Sequence, residues 1–274
     1  MLWARDLVQE VLDNDASFRL LCSLAAAAEG RNGRENGRIA ALVPEGQREL
    51  APGLARHGAQ GRRHARLLAA LPKLRGLEPV EVPPETDHAL LLESRANCPA
   101  HARLRRGEPL KEWDVIAHLA HGYVAETRAA AWFAPLAARF AGHPEIGRAV
   151  REVFRAKRDH LAYCRQGLLR FCRAGHGAAV QRLLREHALA EVRVHRDVSL
   201  AVLARTGHLL GWPVTRSVVL EARVQTVYAY GRLLGWRRTV RLAAPARTAP
   251  PASGAVPGTR GGPSGRTATA SRGV

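Results

Sequence analysis

Arg56-His57-Gly58-Ala59-Gln60-Gly61-Arg62-Arg63-His64-Ala65 sets two histidines seven residues apart, with Gly61 between them and Leu68 and Leu71 continuing the same row. Seven residues are close to two helical turns, so these positions share one face of a helix. Glu29 stands 35 residues before His64, on a row with Phe18, Cys22 and Ala25. The pattern then recurs. Glu126 shares a face with Leu119, Tyr123, Ala130 and Phe133, and His160 follows 34 residues later among Val153, Ala156, Lys157, Cys164 and Gly167. The spacing predicts two antiparallel helix hairpins, each with one inward acid and one inward histidine. A lone buried glutamate is costly, so four ionisable groups facing one core imply one shared site.

Composition supports an all-α fold. Apolar residues make up 46% of the 274 positions but aromatics only 5%, so the core rests on Leu, Ala and Val. Such a core suits close-packed helices better than a sheet. Helices are expected at 16–42, 44–71, 110–140, 144–173, 178–210 and 214–238, with Gly30, Gly33 and Gly37 weakening the first and Pro52 kinking the second. Pro135 is a flaw near the end of the third long helix, and Ala174-Gly175-His176-Gly177 closes the fourth as a glycine cap. Residues 72–108 read as a long connection with a short helix at 86–95. From Arg241 onward the chain is Pro, Gly, Ala, Ser, Thr and five Arg without an acid. That composition predicts a disordered tail over 241–274.

The net charge of +18 comes from 39 Arg and 3 Lys spread along every segment. With no basic stripe and no interleaved aromatics, the expectation is a solvated basic surface, against specific nucleic-acid binding. Cys22, Cys98, Cys164 and Cys172 form no CxxC pair and read as reduced thiols. No secretion signal is expected in 1–12, and no apolar run reaches the length a bilayer needs, so a cytoplasmic location is expected and no membrane partner. The partner stays open, a homo-oligomer among the options.

On these residues, about 16–173 of the chain resembles the ferritin-like superfamily, the di-metal carboxylate four-helix bundles. Arg56–Ala65 is similar to a family helix of the form R-H-x-x-D-E-x-R-H-A. Ala156-Lys157-Arg158-Asp159-His160 stands where the family reads D-E-x-x-H. The resemblance implies an antiparallel four-helix bundle over 1–175 with a long crossover between its second and third helices. The two additional C-terminal helices, 176–240, are expected to pack on it. It implies Glu29, Glu126, His64 and His160 as metal ligands, iron or manganese as the cofactor, and oxygen or peroxide activation as the chemistry.

The departures lie three residues before each histidine, where the family's bridging glutamates would be Gly61 and Lys157. The remaining set predicts at most one weakly held metal, or none, with Lys157 standing between Glu29 and Glu126 as a built-in cation. Glutamate at both positions is expected to restore two-metal binding. Two rivals stay open: a non-enzymatic scaffold, and a basic binder of nucleic acid or another polyanion. His57, His118, His121, His143, His176, His187 and His195 read as solvated or capping, with no further ligand for His118 and His121. Tyr123 and Tyr163 are candidates to hydrogen-bond the site acids or to pack in the core, where Trp132, Phe133, Phe154 and Phe171 are also expected.

Overall fold

The structure is a computed structural model that describes residues 2–96 and 98–242; from residue 243 the expected tail lies outside the described residues. Those residues are mostly helical and contain no strand, as composition predicts. The described residues form one compact unit.

Helix α1 (Leu2–Asp13) lies outside the expected helices and leads into α2 (Asp15–Leu42). Asn14 separates them, its side-chain oxygen accepting from the Ser17 amide at 3.1 Å. That bond satisfies one of the free amides of the first turn. A 3₁₀ segment (Glu45–Leu50) precedes α3 (Ala51–Ala70), so Pro52 stands in a first helical turn and kinks nothing. The long connection carries α4 (His88–Arg95) and an unexpected α5 (Pro99–Arg106). Asp87 caps α4 by accepting from the Leu90 amide at 3.0 Å, and Gly107, at φ +70°, ends α5.

Helices α6 (Glu112–Phe140) and α7 (Gly147–Phe171) follow, and α6 runs unbroken through Pro135. Gly175, at φ +97°, turns the chain into α8 (Gly177–Leu209). Helix α9 (Val214–Tyr230) and the short α10 (Trp236–Thr239) complete the described chain. Arg241 and Leu242, expected in the tail, are docked instead: their carbonyls accept from Tyr123 Oη at 2.7 Å and Arg165 Nε at 3.3 Å.

The contacts of α2 with α3 fix an antiparallel register: Gly30 faces Ala65, Gly33 faces Gly61 and Arg62, and Gly37 faces Gly58 and Arg62. The glycines do not weaken α2. A methyl on Gly33 would stand 2.6 Å from the Arg62 amide nitrogen, and one on Gly58 2.7 Å from that of Gly37. Backbone therefore meets backbone, which only glycine permits. Helices α6 and α7 are likewise antiparallel, with Gly122 against Cys164 and Leu119 against Gly167.

Two apolar clusters lie along these four helices. One gathers Ile39, Leu54, Leu119 and Leu168; the other gathers Phe18, Leu68, Phe140 and Val153. Glu29, His64, Glu126 and His160 fall between them in every helix, so apolar layers close the polar residues in from both sides. Phe133 and Phe171 are buried as expected and Phe154 packs against the second cluster, but Trp132 is 45% exposed. No helix among the described residues is long and apolar enough to cross a membrane.

Candidate functional site

The four expected residues converge. Glu29 comes from α2, His64 from α3, Glu126 from α6 and His160 from α7, and all four are buried. His64 Nδ1 donates to Glu29 Oε2 at 3.0 Å. His160 Nδ1 lies 3.6 Å from Glu126 Oε1. Lys157 joins the two halves, its Nζ 2.5 Å from Glu29 Oε1 and 3.2 Å from Glu126 Oε1. Standing one helical turn before His160, Lys157 points to the same face of α7.

The electrostatics follow from that bridge. Burial opposes the charge of Lys157, but the carboxylates of Glu126 and Glu29 outweigh it and hold the ammonium's pKa above its ordinary value. Burial likewise opposes ionisation of Glu126, yet Lys157, the nearby His160 ring and the hydrogen bond from His57 hold its pKa well below the carboxylate range. Glu29 is lowered too, with Lys157 and His64 overcoming its burial. Two carboxylates and one ammonium leave a single net negative charge.

Three members of the site were not expected. His57 is buried rather than solvated, and its Nε2 donates to Glu126 Oε1 at 3.2 Å, since a carboxylate can only accept. Asn32 donates to the same oxygen at 3.2 Å. Gln60 Oε1 accepts from His160 Nε2 at 2.8 Å, which leaves Nδ1 of a neutral His160 as a free lone pair. His57 and His160 stack with ring centroids 3.5 Å apart. The seven-residue spacing of His57 and His64 carried the signal for the first; nothing in the sequence distinguishes Asn32 or Gln60 from surface amides.

Tyr123 and Tyr163 take the core alternative: both pack in the first apolar cluster, Tyr123 donating to the Arg241 carbonyl and Tyr163 to that of Leu50, each at 2.7 Å, and neither to a site acid. Gly61 is no vacancy awaiting a glutamate: a methyl there would lie 2.9 Å from Gly33 Cα and 3.0 Å from the Glu29 carbonyl oxygen. Restoring both glutamates would force α2 and α3 apart.

His143 caps as expected, its Nδ1 accepting from the Glu145 amide at 3.3 Å. His118 and His187 are buried instead, in a second histidine group with His101 and His121. Burial pushes the His101 pKa down to about 4 and those of His118 and His121 well below the usual imidazole range. His195 is also pushed down, to about 4, by burial and then by Arg128.

Glu29 also borders an apolar cavity of about 720 Å³, partly open to solvent and lined by α1, α2, α6, α8 and α9, with Leu21, Phe133, Val202 and Val224 on its walls. Arg128 stands at its polar end, held bidentate by Glu191 at 2.7 and 2.9 Å. No family model, no curated protein and no solved structure matches the chain.

Proposed function

We propose that the chain is a ferritin-like helix-bundle protein, related to the di-metal oxidoreductases, whose centre is rebuilt around Lys157 and holds at most one metal ion, weakly. The observation that carries this reading is the ammonium between Glu29 and Glu126. It supplies the positive charge that a metal would otherwise bring, and it repels a cation beside it. With bridging carboxylates absent from positions 61 and 157, two cations would face each other without screening.

The donors that remain lie to one side. His57, Glu126 and His160 offer one ligand atom each within 4.8 Å of one another. His57 Nδ1, His160 Nδ1 and Glu126 Oε2 are buried without hydrogen-bond partners. Two imidazoles and a carboxylate are a set that iron(II) accepts, and manganese(II) more weakly. With Lys157 charged alongside, the resting protein is a scaffold in which ion pairs do the work of a metal. Polyanion binding draws less support, because Arg31, Arg75, Arg103, Arg128 and Arg216 are each engaged by carboxylates.

Titration of iron(II) and manganese(II) under anaerobic conditions tests the reading, on chain purified without chelator or affinity-tag metal. The wild type should bind no more than one ion at the site, the difference being read against His160→Ala. Lys157→Glu reverses the local charge and should tighten that binding about 10-fold or more. Two tightly held ions lost in His160→Ala would overturn the proposal, as would a folded Lys157→Glu chain with unchanged affinity.

A further inference from the structure

We infer that Cys98, His101 and His118 form a second metal site, distant in sequence from the Lys157 centre and suited to a zinc ion. One ligand atom from each lies within 4.8 Å of the others, and all three side chains are buried. Their placement follows from local structure. Cys98 is the N-cap of α5 and His101 sits in its first turn, so Cys98-Pro99-Ala100-His101 presents sulfur and imidazole side by side. His118 comes from α6, which packs against α5. His121 follows it at i+3 on the same face. The chain thus carries a C-x2-H pair, with the short spacing from which structural zinc sites draw ligands, and a second His at i+3 from His118 on α6.

The ring nitrogens point to a ligand. Asn36 Nδ2 donates to Asn32, at 2.9 Å to its carbonyl, so Asn36 Oδ1 is the atom facing His118 Nε2 at 3.1 Å. His118 therefore carries its proton on Nε2, and its Nδ1 is a bare lone pair, buried and without a partner. Histidines that bind metals are oriented in this way, one nitrogen donating to an oxygen and the other free for the ion. Neither ring nitrogen of His101 makes a hydrogen bond, although it is only 3% exposed; Nε2 lies 3.6 Å from Glu35 Oε2 and Nδ1 4.0 Å from Glu93 Oε1, both beyond hydrogen-bond range. His187 repeats the arrangement: Nδ1 donates to the Leu183 carbonyl at 2.9 Å and Nε2 is left alone.

Each buried polar atom without a partner is a cost, and several within one group call for a common acceptor of their lone pairs. A divalent cation satisfies them together. Thiolate with imidazole selects zinc among the common divalent ions. On binding, the sulfur–metal bond forms and the Cys98 thiol proton leaves to solvent, while the imidazoles coordinate neutral. Three protein ligands leave a fourth position for His121, whose ring centroid is 5.3 Å from that of His101, or for water.

Cobalt(II) is the probe, because a thiolate–cobalt bond gives a near-ultraviolet charge-transfer band that oxygen and nitrogen ligands do not. The full-length wild type, freed of metal, should develop that band with one equivalent of cobalt(II) and lose it to one equivalent of zinc(II). Cys98→Ser should abolish the band, and His118→Ala, which removes a ligand, should weaken zinc binding at least about 100-fold, no less than the loss of an outer-shell partner costs at metal sites. His160→Ala, at the other centre, should leave band and affinity unchanged. Absence of the band in the wild type overturns the inference whatever the variants do. A band that survives Cys98→Ser in a folded chain overturns it as well.

Discussion

Lys157 is 3% exposed and has two carboxylates for partners, so its removal is felt by both. Lys157→Met keeps the volume and deletes the charge, leaving Glu29 and Glu126 buried and uncompensated. Breaking a buried ion pair in this way costs about 3–5 kcal/mol, and denaturant unfolding at neutral pH should show that loss. The pH dependence fixes the sign. In the wild type both carboxyl pKa values lie below their unfolded values, so their stabilisation is full above the ordinary carboxylate range and is lost as pH falls through the folded values. In the variant the acids lose their largest charge partner, and burial is opposed only by the neighbouring histidines, so the balance shifts towards the protonated acids. The deficit of Lys157→Met should therefore narrow as the pH is lowered from 7 to about 4. A deficit that widens would show that Lys157 does not hold the two acids. The four inward residues were legible in the sequence because a period repeated; Lys157 was legible because it broke that period. The buried histidines were not, since His101 and His118 are 17 residues apart on different helices, and only the turn between α5 and α6 brings them together.

The contact of α2 with α3 is made by glycines placed where each backbone would strike a neighbour's methyl. Gly61→Ala gains about 1 kcal/mol in helix propensity. It also sets a methyl 2.9 Å from Gly33 Cα, against backbone that cannot rotate away. Overpacking of this kind typically costs about 1–3 kcal/mol, so Gly61→Ala should be destabilising overall. Gly30→Ala is the control on the same interface: its methyl would meet Ala65 Cβ at 3.5 Å, an ordinary contact, so stability should hold or rise. Equal thermal midpoints for the two variants would show that the close approach is not obligatory. Helix ends were readable to within a few residues from prolines, caps and apolar rows. The role of the glycines was not, because propensity describes an isolated helix and is blind to what lies across from it. Helix α5 escaped for a related reason: eight residues with three arginines and a leading proline look like a loop until Cys98 and Gly107 are seen to cap them.

Across the whole molecule, the described chain ends on the bundle rather than in solvent. Ending the chain at 242 should leave the thermal midpoint within about 2 °C of the full length, because 243–274 has too few large apolar residues to bury. Ending it at 240 removes the acceptors of Tyr123 and Arg165 and should lower stability by about 1–2 kcal/mol. Equal losses from both truncations would mean that the last 32 residues pack after all. A different consequence follows from the apolar cavity. Its outer wall is α9, a helix with no buried residue. At one end Trp212 and Arg216 tie it to Glu10; at the other Gly231 lies against Val192 and Trp236 packs on the core. Mechanically this is a beam pinned at both ends, its middle resting on half-buried Leu220, Val224 and Tyr228, with Arg196 stacked on Tyr228. Bowing it outward withdraws no fully buried side chain, so the work of deflection is smaller there than at α2, α3, α6 or α7, whose inner faces are buried.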